Sequence, residues 1–167
     1  EKAKALGLQS VLAEQSESRP LDTSSRPAAV TPFDPVYAVF TSGSTGRPKG
    51  VIMQHCALAT AAMVNSGTFL IDRNSRVLSF ASFTFDASIA EILYPLVRGG
   101  CICIPSEKES RTDVEKAIND YKVTWATLTP SLARTLRPGN LNTLHILALG
   151  GEAIAKSDCD MWEGKVC

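Results

Sequence analysis

Tyr37-Ala38-Val39-Phe40-Thr41-Ser42-Gly43-Ser44-Thr45-Gly46-Arg47-Pro48-Lys49-Gly50 runs from an apolar, strand-forming segment into a turn crowded with hydroxyls and glycines. Gly43 and Gly46 let backbone N–H groups approach a polyanion closely, and Thr41, Ser42, Ser44 and Thr45 add neutral donors. Lys49, three residues beyond Gly46, supplies a mobile positive charge suited to phosphate oxygens. This is the composition of a phosphate cradle, although composition alone fits a Ser/Gly-rich hairpin loop equally well. Two common cradles fail on spacing. A Walker A loop requires Gly before its Lys and Ser or Thr after it, where this chain has Pro48 and Gly50. A Rossmann fingerprint requires G-x-G-x-x-G, and only the Gly43-x-x-Gly46 half is present.

Working outward, short apolar runs alternate with helical patterns. Val51–Met53, Val77–Phe80, Cys101–Ile104, Val123–Leu128 and Leu144–Leu149 read as strands. His55–Val64 and Thr112–Asp120 read as helices, a third begins at Pro130 and ends near Gly139, and a last one follows Gly150-Gly151. The clearest helix follows Asp86, a candidate N-cap, with Ile89, Ile92, Leu93, Leu96 and Val97 in a helical stripe and Gly99-Gly100 as the stop. Pro95 removes a donor from its last turn. Strands apolar on both faces between helices predict an α/β fold, a mostly parallel sheet with flanking helices. Upstream, Ala3–Glu14 reads as a short helix, and Ser16–Pro35 as an extended, exposed connection rich in Ser, Thr and Pro. Residues 1–35 are thus a leading segment, and the regular fold occupies 36–167.

Composition narrows the function classes. Lys plus Arg and Asp plus Glu are 17 each, which gives no basic field for nucleic acid or an anionic membrane. No apolar run approaches the ~20 residues of a membrane span. Cys101 and Cys103, two apart in a strand, face the same side. With His55 and His145 not paired as ligands, the cysteines read as buried free thiols of a reducing cytosol, and no metal site is expected. Trp125 and Trp162 read as core. His55 reads as a packing residue at a helix start.

The Thr41–Gly50 string closely resembles the phosphate-binding signature of the adenylate-forming superfamily, which includes acyl-CoA ligases, luciferases and the adenylation domains of nonribosomal peptide synthetases. Two further segments follow in the same order. Phe85-Asp86-Ala87-Ser88, leading to Glu91, resembles the next signature of the amino-acid-activating branch, in which the Asp pairs with the substrate's α-ammonium group. Leu147–Ala153 resembles the Gly-Gly-Glu-Ala segment bordering the nucleotide site, here Gly150, Gly151 and Glu152. The resemblance implies a side-chain pocket lined by Ala87, Ala90, Thr127, Leu147 and Leu149, small or apolar residues suited to an uncharged amino acid.

The resemblance also implies ATP with Mg²⁺, an aminoacyl-AMP product, and transfer to a carrier thiol bearing phosphopantetheine on a separate domain. Neighbouring carrier and condensation domains would be the partners, in the cytoplasm. It covers about Tyr37 to Ala153, well under half of such a domain. Residues 36–167 are therefore expected to be part of the large N-terminal subdomain of an adenylate-forming enzyme, a fragment inactive alone. The family's catalytic Lys lies in a later region, and Lys49 does not take that role. The alternatives are an acyl- or aryl-CoA ligase of the same superfamily, against which Asp86 argues, and a non-catalytic nucleotide-binding remnant.

Overall fold

Tyr37, Ala38 and Val39 face Met53, Ile52 and Val51 across an antiparallel hairpin, in which β1 (Pro35–Thr41) and β2 (Lys49–Gln54) pair down to Thr41↔Lys49. The computed structural model describes residues 29–41, 48–106 and 113–164. Ser42–Arg47 of the glycine-rich turn, the helix expected over Ala3–Glu14 and most of the Ser/Pro-rich connection lie outside the described residues. Glu1–Val30 and Thr31–Cys167 form separate units, and every described element belongs to the second. Pro35, read from sequence as the end of an exposed connection, is instead the first residue of β1.

Beyond the hairpin, β3 (Arg76–Leu78), β4 (Cys101–Cys103), β5 (Trp125–Leu128) and β6 (Ile146–Leu149) form an all-parallel sheet in the order β4-β3-β5-β6. The helices are α1 (His55–Thr68), α2 (Asp86–Val97), α3 (Val114–Asp120), α4 (Pro130–Ala133) and α5 (Lys156–Trp162). Because strand side chains alternate, each strand feeds two cores. On one face Leu78, Ala126, Leu128 and Leu147 pack with Val114 and Ile118 of α3, Ala133 of α4 and Trp162 of α5. On the other, Val77 and Trp125 pack with Ala62 of α1 and Tyr94 of α2, with Ala90, Ile146 and Ala148 against them. The expected α/β fold with a helix-flanked parallel sheet is the fold observed.

Local chemistry explains the joints. Leu70 turns the chain after α1 with φ +55°, and the Trp125 indole N–H donates to the Phe69 carbonyl at 2.9 Å. Asp113 caps α3 by accepting from the Lys116 N–H. At Gly100 a Cβ would sit 2.8 Å from the Asp72 carbonyl oxygen and 2.9 Å from that of Ser75, so no side chain fits there.

Four further expectations are corrected. The α2 stripe is not the buried face: Ser88, Glu91, Tyr94 and Pro95 are buried, whereas Leu96 and Val97 are 54 % and 47 % exposed. Asp86 is not the N-cap; Phe85 is, and Asp86 is the first helical residue with no capping bond. The helix from Pro130 stops at Ala133, and only a 3₁₀ turn at Pro138–Asn140 follows. Pro138 forces Arg137 into an extended conformation (φ −107°, ψ 112°), so one helix cannot run through. Among the described cysteines only Cys103 is buried; Cys101 and Cys159 are exposed.

The corrected α2 face is testable by denaturant unfolding of the chain. Leu128→Ala, in the core, is expected to cost about 2–5 kcal/mol. Leu96→Ala is expected to cost less than about 0.5 kcal/mol. Comparable losses at the two positions would return the apolar stripe to the core.

Candidate functional site

In parallel α/β sheets, ligands bind outside the carboxyl ends of the strands. Three segments leave the sheet at that end, and the sequence singles out those after β3 and β6. After β3, residues Ser79–Phe85 lead to Asp86. After β5, Thr129 caps α4 through its hydroxyl. After β6 the chain turns at Gly150-Gly151, and Gly151 needs φ +82°. The Gly150 N–H donates to the Leu128 carbonyl at 3.1 Å, carrying the β5–β6 pairing one residue past the strands.

Glu152 lies in this turn. Its carboxylate accepts from the Ser131 hydroxyl at 2.7 Å and the Ser131 N–H at 3.0 Å. Those bonds, the hydroxyl's first, hold its acid below the ordinary carboxylate range. Glu152 therefore clips the turn after β6 to the start of α4 as an anion.

Asp86 is exposed at the N-terminus of α2. The Ser88 hydroxyl takes the Phe85 carbonyl at 2.7 Å, so the local turn is closed without the Asp86 carboxylate. The phenol of Tyr37, on β1, is pushed up first by burial and next by the charge of Asp86, which places Tyr37 within electrostatic reach of that carboxylate.

On the hairpin, Lys49 is exposed opposite Thr41, whose hydroxyl donates to the Lys49 carbonyl at 3.5 Å. The remaining phosphate-loop candidates, Ser42, Gly43, Ser44, Thr45 and Gly46, lie outside the described residues. His55 opens α1 with its N–H on the Asp34 carbonyl at 3.1 Å.

The five expected pocket residues do not converge. Ala90 packs with Ile146 and Ala148 against the cluster that holds Trp125, and Thr127, two residues after Trp125, shares that face. Leu147 and Leu149 belong to the opposite core, with Ala126 and Leu128. The β6 residue beside Thr127 is Ala148, its direct partner in register.

Glu91, named in the sequence only as the end of its signature and given no role there, is 1 % exposed. One carboxylate oxygen, Oε2, accepts from the N–H groups of Phe80 and Ala81, at 2.8 and 2.9 Å. The other, Oε1, is buried with no partner. Burial pushes this acid up to about 7, against the lowering effect of the two N–H groups.

Across residues 2–167 the sequence matches the family described as AMP-binding enzyme. The chain belongs to that family. Among its relatives, D-lysergyl-peptide-synthetase subunit 1 of Claviceps purpurea is 50 % identical over 137 residues, 82 % of this chain and 4 % of that protein. Nonribosomal peptide synthetase TES of Alternaria alternata is 50 % identical over 138 residues, 83 % of this chain and 3 % of that protein. Nonribosomal peptide synthetase flvI of Aspergillus flavus is 47 % identical over 137 residues, 82 % of this chain and 13 % of that protein. The chain therefore spans a small part of the length of these relatives.

Solved adenylation domains share the fold. AlmE of Vibrio cholerae, in complex with glycyl-adenosine-5'-phosphate, superposes with a TM-score of 0.72 at 24 % identity, over 81 % of this chain and 27 % of that one. The N-terminal subdomain of Klebsiella oxytoca NpsA, in complex with 3-hydroxyanthranilyl-AMSN, gives 0.64 at 24 % identity, over 79 % and 35 %. The sheet described above is thus that of the N-terminal subdomain of AMP-binding enzymes.

The state of Glu91 sets a pH dependence. The folded chain keeps a proton on Glu91 up to about pH 7, while an ordinary carboxyl releases it near 4.5. Stability from this group is therefore full below about pH 4.5 and declines as the pH rises to about 7. Glu91→Gln cannot titrate. Its stability relative to the unmodified chain should improve by about 3 kcal/mol from acid to mildly alkaline pH, read by denaturant unfolding at each. A gap that stays constant with pH would show that Glu91 ionises like an exposed acid.

Proposed function

We propose that this chain is part of an adenylation domain that activates an amino acid with ATP. The observation that carries this reading is Asp86: an exposed carboxylate, not used as a cap, at a helix N-terminus beside the carboxyl ends of a parallel sheet. A carboxylate there selects a substrate with an ammonium group over a plain fatty or aryl acid. The small residues Ala87 and Ala90 follow on the same helix, and with Thr127 they leave room for an uncharged side chain. Ala148 takes the place on that wall that Leu147 and Leu149 do not.

In the proposed reaction a carboxylate oxygen of the amino acid attacks the α-phosphorus of ATP. The bond to the bridging oxygen breaks, and its electron pair leaves with pyrophosphate, giving an aminoacyl-adenylate. The chain's own part is binding and orientation. Thr41, the Ser42–Gly46 turn and Lys49 suit the phosphates by chemistry, and Lys49 offsets charge as the leaving group departs. Gly150, Gly151 and Glu152 border the nucleotide. Mg²⁺ would supply further charge compensation to ATP. Among the described residues no three His, Cys, Asp or Glu side chains gather into a metal site, so no ligand of that ion is assigned here. Transfer to a phosphopantetheine thiol on a carrier domain, with a condensation domain beside it, fits relatives named as peptide synthetases. No helix among the described residues is long and apolar enough to cross a membrane.

Amino-acid-dependent ATP–pyrophosphate exchange tests the reading in the complete protein that carries this chain. Asp86→Ala should lower the preference for an amino acid over its desamino analogue by at least about 30-fold, as expected for losing one partner of a desolvated charge pair. Lys49→Ala should raise the KM for ATP by roughly tenfold or more, the worth of a hydrogen bond to a charged group. An unchanged preference ratio in the first variant would leave a CoA-ligase-type acid substrate as the better reading. An unchanged ATP KM in the second would remove Lys49 from the phosphate site. The 167 residues alone span 27 % of AlmE, and on this reading they support no exchange.

A further inference from the structure

We propose that Glu91 is a positioning residue: by clasping the backbone between β3 and α2 it holds Asp86 where a substrate ammonium group meets it. The inference rests on the reading of Asp86 given above and adds to it the device that fixes the carboxylate in place.

The segment from Phe80 to Asp86 leaves the sheet, reverses and enters α2. It is tied at two places, both onto α2. Near the helix start, the Ser88 hydroxyl and N–H hold the Phe85 carbonyl, at 2.7 and 3.2 Å. Near the sheet, Glu91 Oε2 takes the N–H groups of Phe80 and Ala81. Glu91 is five residues beyond Asp86, about 7.5 Å along the helix axis. The clasp therefore closes a ring from the end of β3, through Asp86, and back along the first turns of α2. Without it the segment's described bonds are its Ser88 anchor and bonds local to the turn, from Phe85 to Ser82 and between Thr84 and Ser82. The helix entry, and Asp86 with it, is then free to pivot.

The cost of this arrangement argues that it is more than packing. The side chain is 1 % exposed, and one of its oxygens has no partner. No described cation pairs with it. The guanidinium of Arg76 is engaged with the Tyr121 carbonyl and the Cys101 sulfur, and that of Arg98 with the Ser66 hydroxyl and the Met63 carbonyl. A buried acid with half its acceptor capacity unused is an expensive way to satisfy two backbone N–H groups. It joins two segments that packing alone would leave adjustable, and one of them carries the carboxylate proposed to read the substrate.

The test is exchange kinetics in the complete protein, with the amino acid that gives the fastest exchange in a screen of proteinogenic amino acids. Circular dichroism checks that each variant is folded. Glu91→Asp is one methylene too short for the clasp, and Glu91→Ala lacks it. In both, the amino-acid KM should rise by about tenfold or more, because a small misplacement of a binding group is costly. The KM for ATP should stay within about twofold of the parent's in the same variants, since the phosphate loop is not on the ring. Glu91→Gln keeps an oxygen for the two N–H groups and should restore the amino-acid KM to within about threefold.

If Glu91→Ala does not fold, the Asp and Gln variants decide between reach and charge. An amino-acid KM unchanged in Glu91→Asp, or a Glu91→Gln variant as impaired as Glu91→Asp, would overturn the proposal. So would equal rises in both KM values, the mark of general loosening. The unmodified protein is the control for the underlying reading: no amino-acid dependence there would overturn the functional assignment, and this inference with it.

Discussion

The in-register parallel pairing of β5 with β6, from Trp125↔Ile146 to Leu128↔Leu149, divides the residues of both strands between two cores. A strand buried on both faces cannot slip by one residue without exchanging those cores. Trp125 needs the α1–α2 side, where its indole reaches the Phe69 carbonyl. Leu128 needs the α3–α5 side, where it is 2 % exposed. The alternation that satisfies both sets which residues face α2, and so which line the candidate substrate wall. It puts Thr127 and Ala148 on that side and Leu147 and Leu149 on the other. The Gly150 N–H bond to Leu128 carries the same register into the turn that holds Glu152.

The sequence was legible where chemistry is local. A helix stopped by Gly99-Gly100 and alternating strands and helices each follow from neighbouring residues, and apart from the helix begun at Pro130 the described elements lie close to their expected places. Legibility failed where the deciding partner is distant in the chain. The apolar stripe of α2 is the more hydrophobic face, yet the face that packs contains Ser88 and Tyr94. The Tyr94 hydroxyl accepts from the Asn65 amide of α1 at 2.9 Å, a bond across 29 residues. Glu91 falls on this face, between residues of the apolar stripe. Its burial makes sense only once the Phe80 and Ala81 N–H groups are seen to need an acceptor. Leu147 and Leu149 are a different case. Motif order located their segment, and alternation along β6 turns both toward the core opposite Ala90.

Buried or half-buried polar groups elsewhere in the fold do similar joining work, with their valences filled. Asp158, 2 % exposed, receives two bonds from the Arg134 guanidinium and one from the Ala155 N–H, tying α4 to α5. Those bonds, the guanidinium's first, hold its acid below the ordinary range, so it stays charged where Glu91 keeps its proton. The Arg98 side chain joins the ends of α1 and α2 through Ser66 and Met63. Asp158 is stabilised by a cation, whereas Glu91 has only backbone dipoles. Burial dominates at Glu91 and the guanidinium bond dominates at Asp158, so the two acids shift in opposite directions.

Charge placement on the hairpin side completes the physical argument for a site with two unlike ligands. Binding a polyphosphate calls for positive charge, and binding an ammonium group calls for negative charge. A protein that placed the two side by side would satisfy them with each other. Tyr37 marks where β1 passes Asp86, and Lys49 pairs with Thr41, four residues further along. At ~3.3 Å per residue, that spacing is about 13 Å along the strand. It exceeds the Debye length of about 8 Å at physiological salt, beyond which exposed charges are largely screened from one another. Glu152, the other acid at this end of the sheet, is already engaged by Ser131 and does not compete for a cation. Lys49 and Asp86 are both exposed and of opposite charge, so a chain with no net charge still offers each sign of charge to a proposed composite substrate.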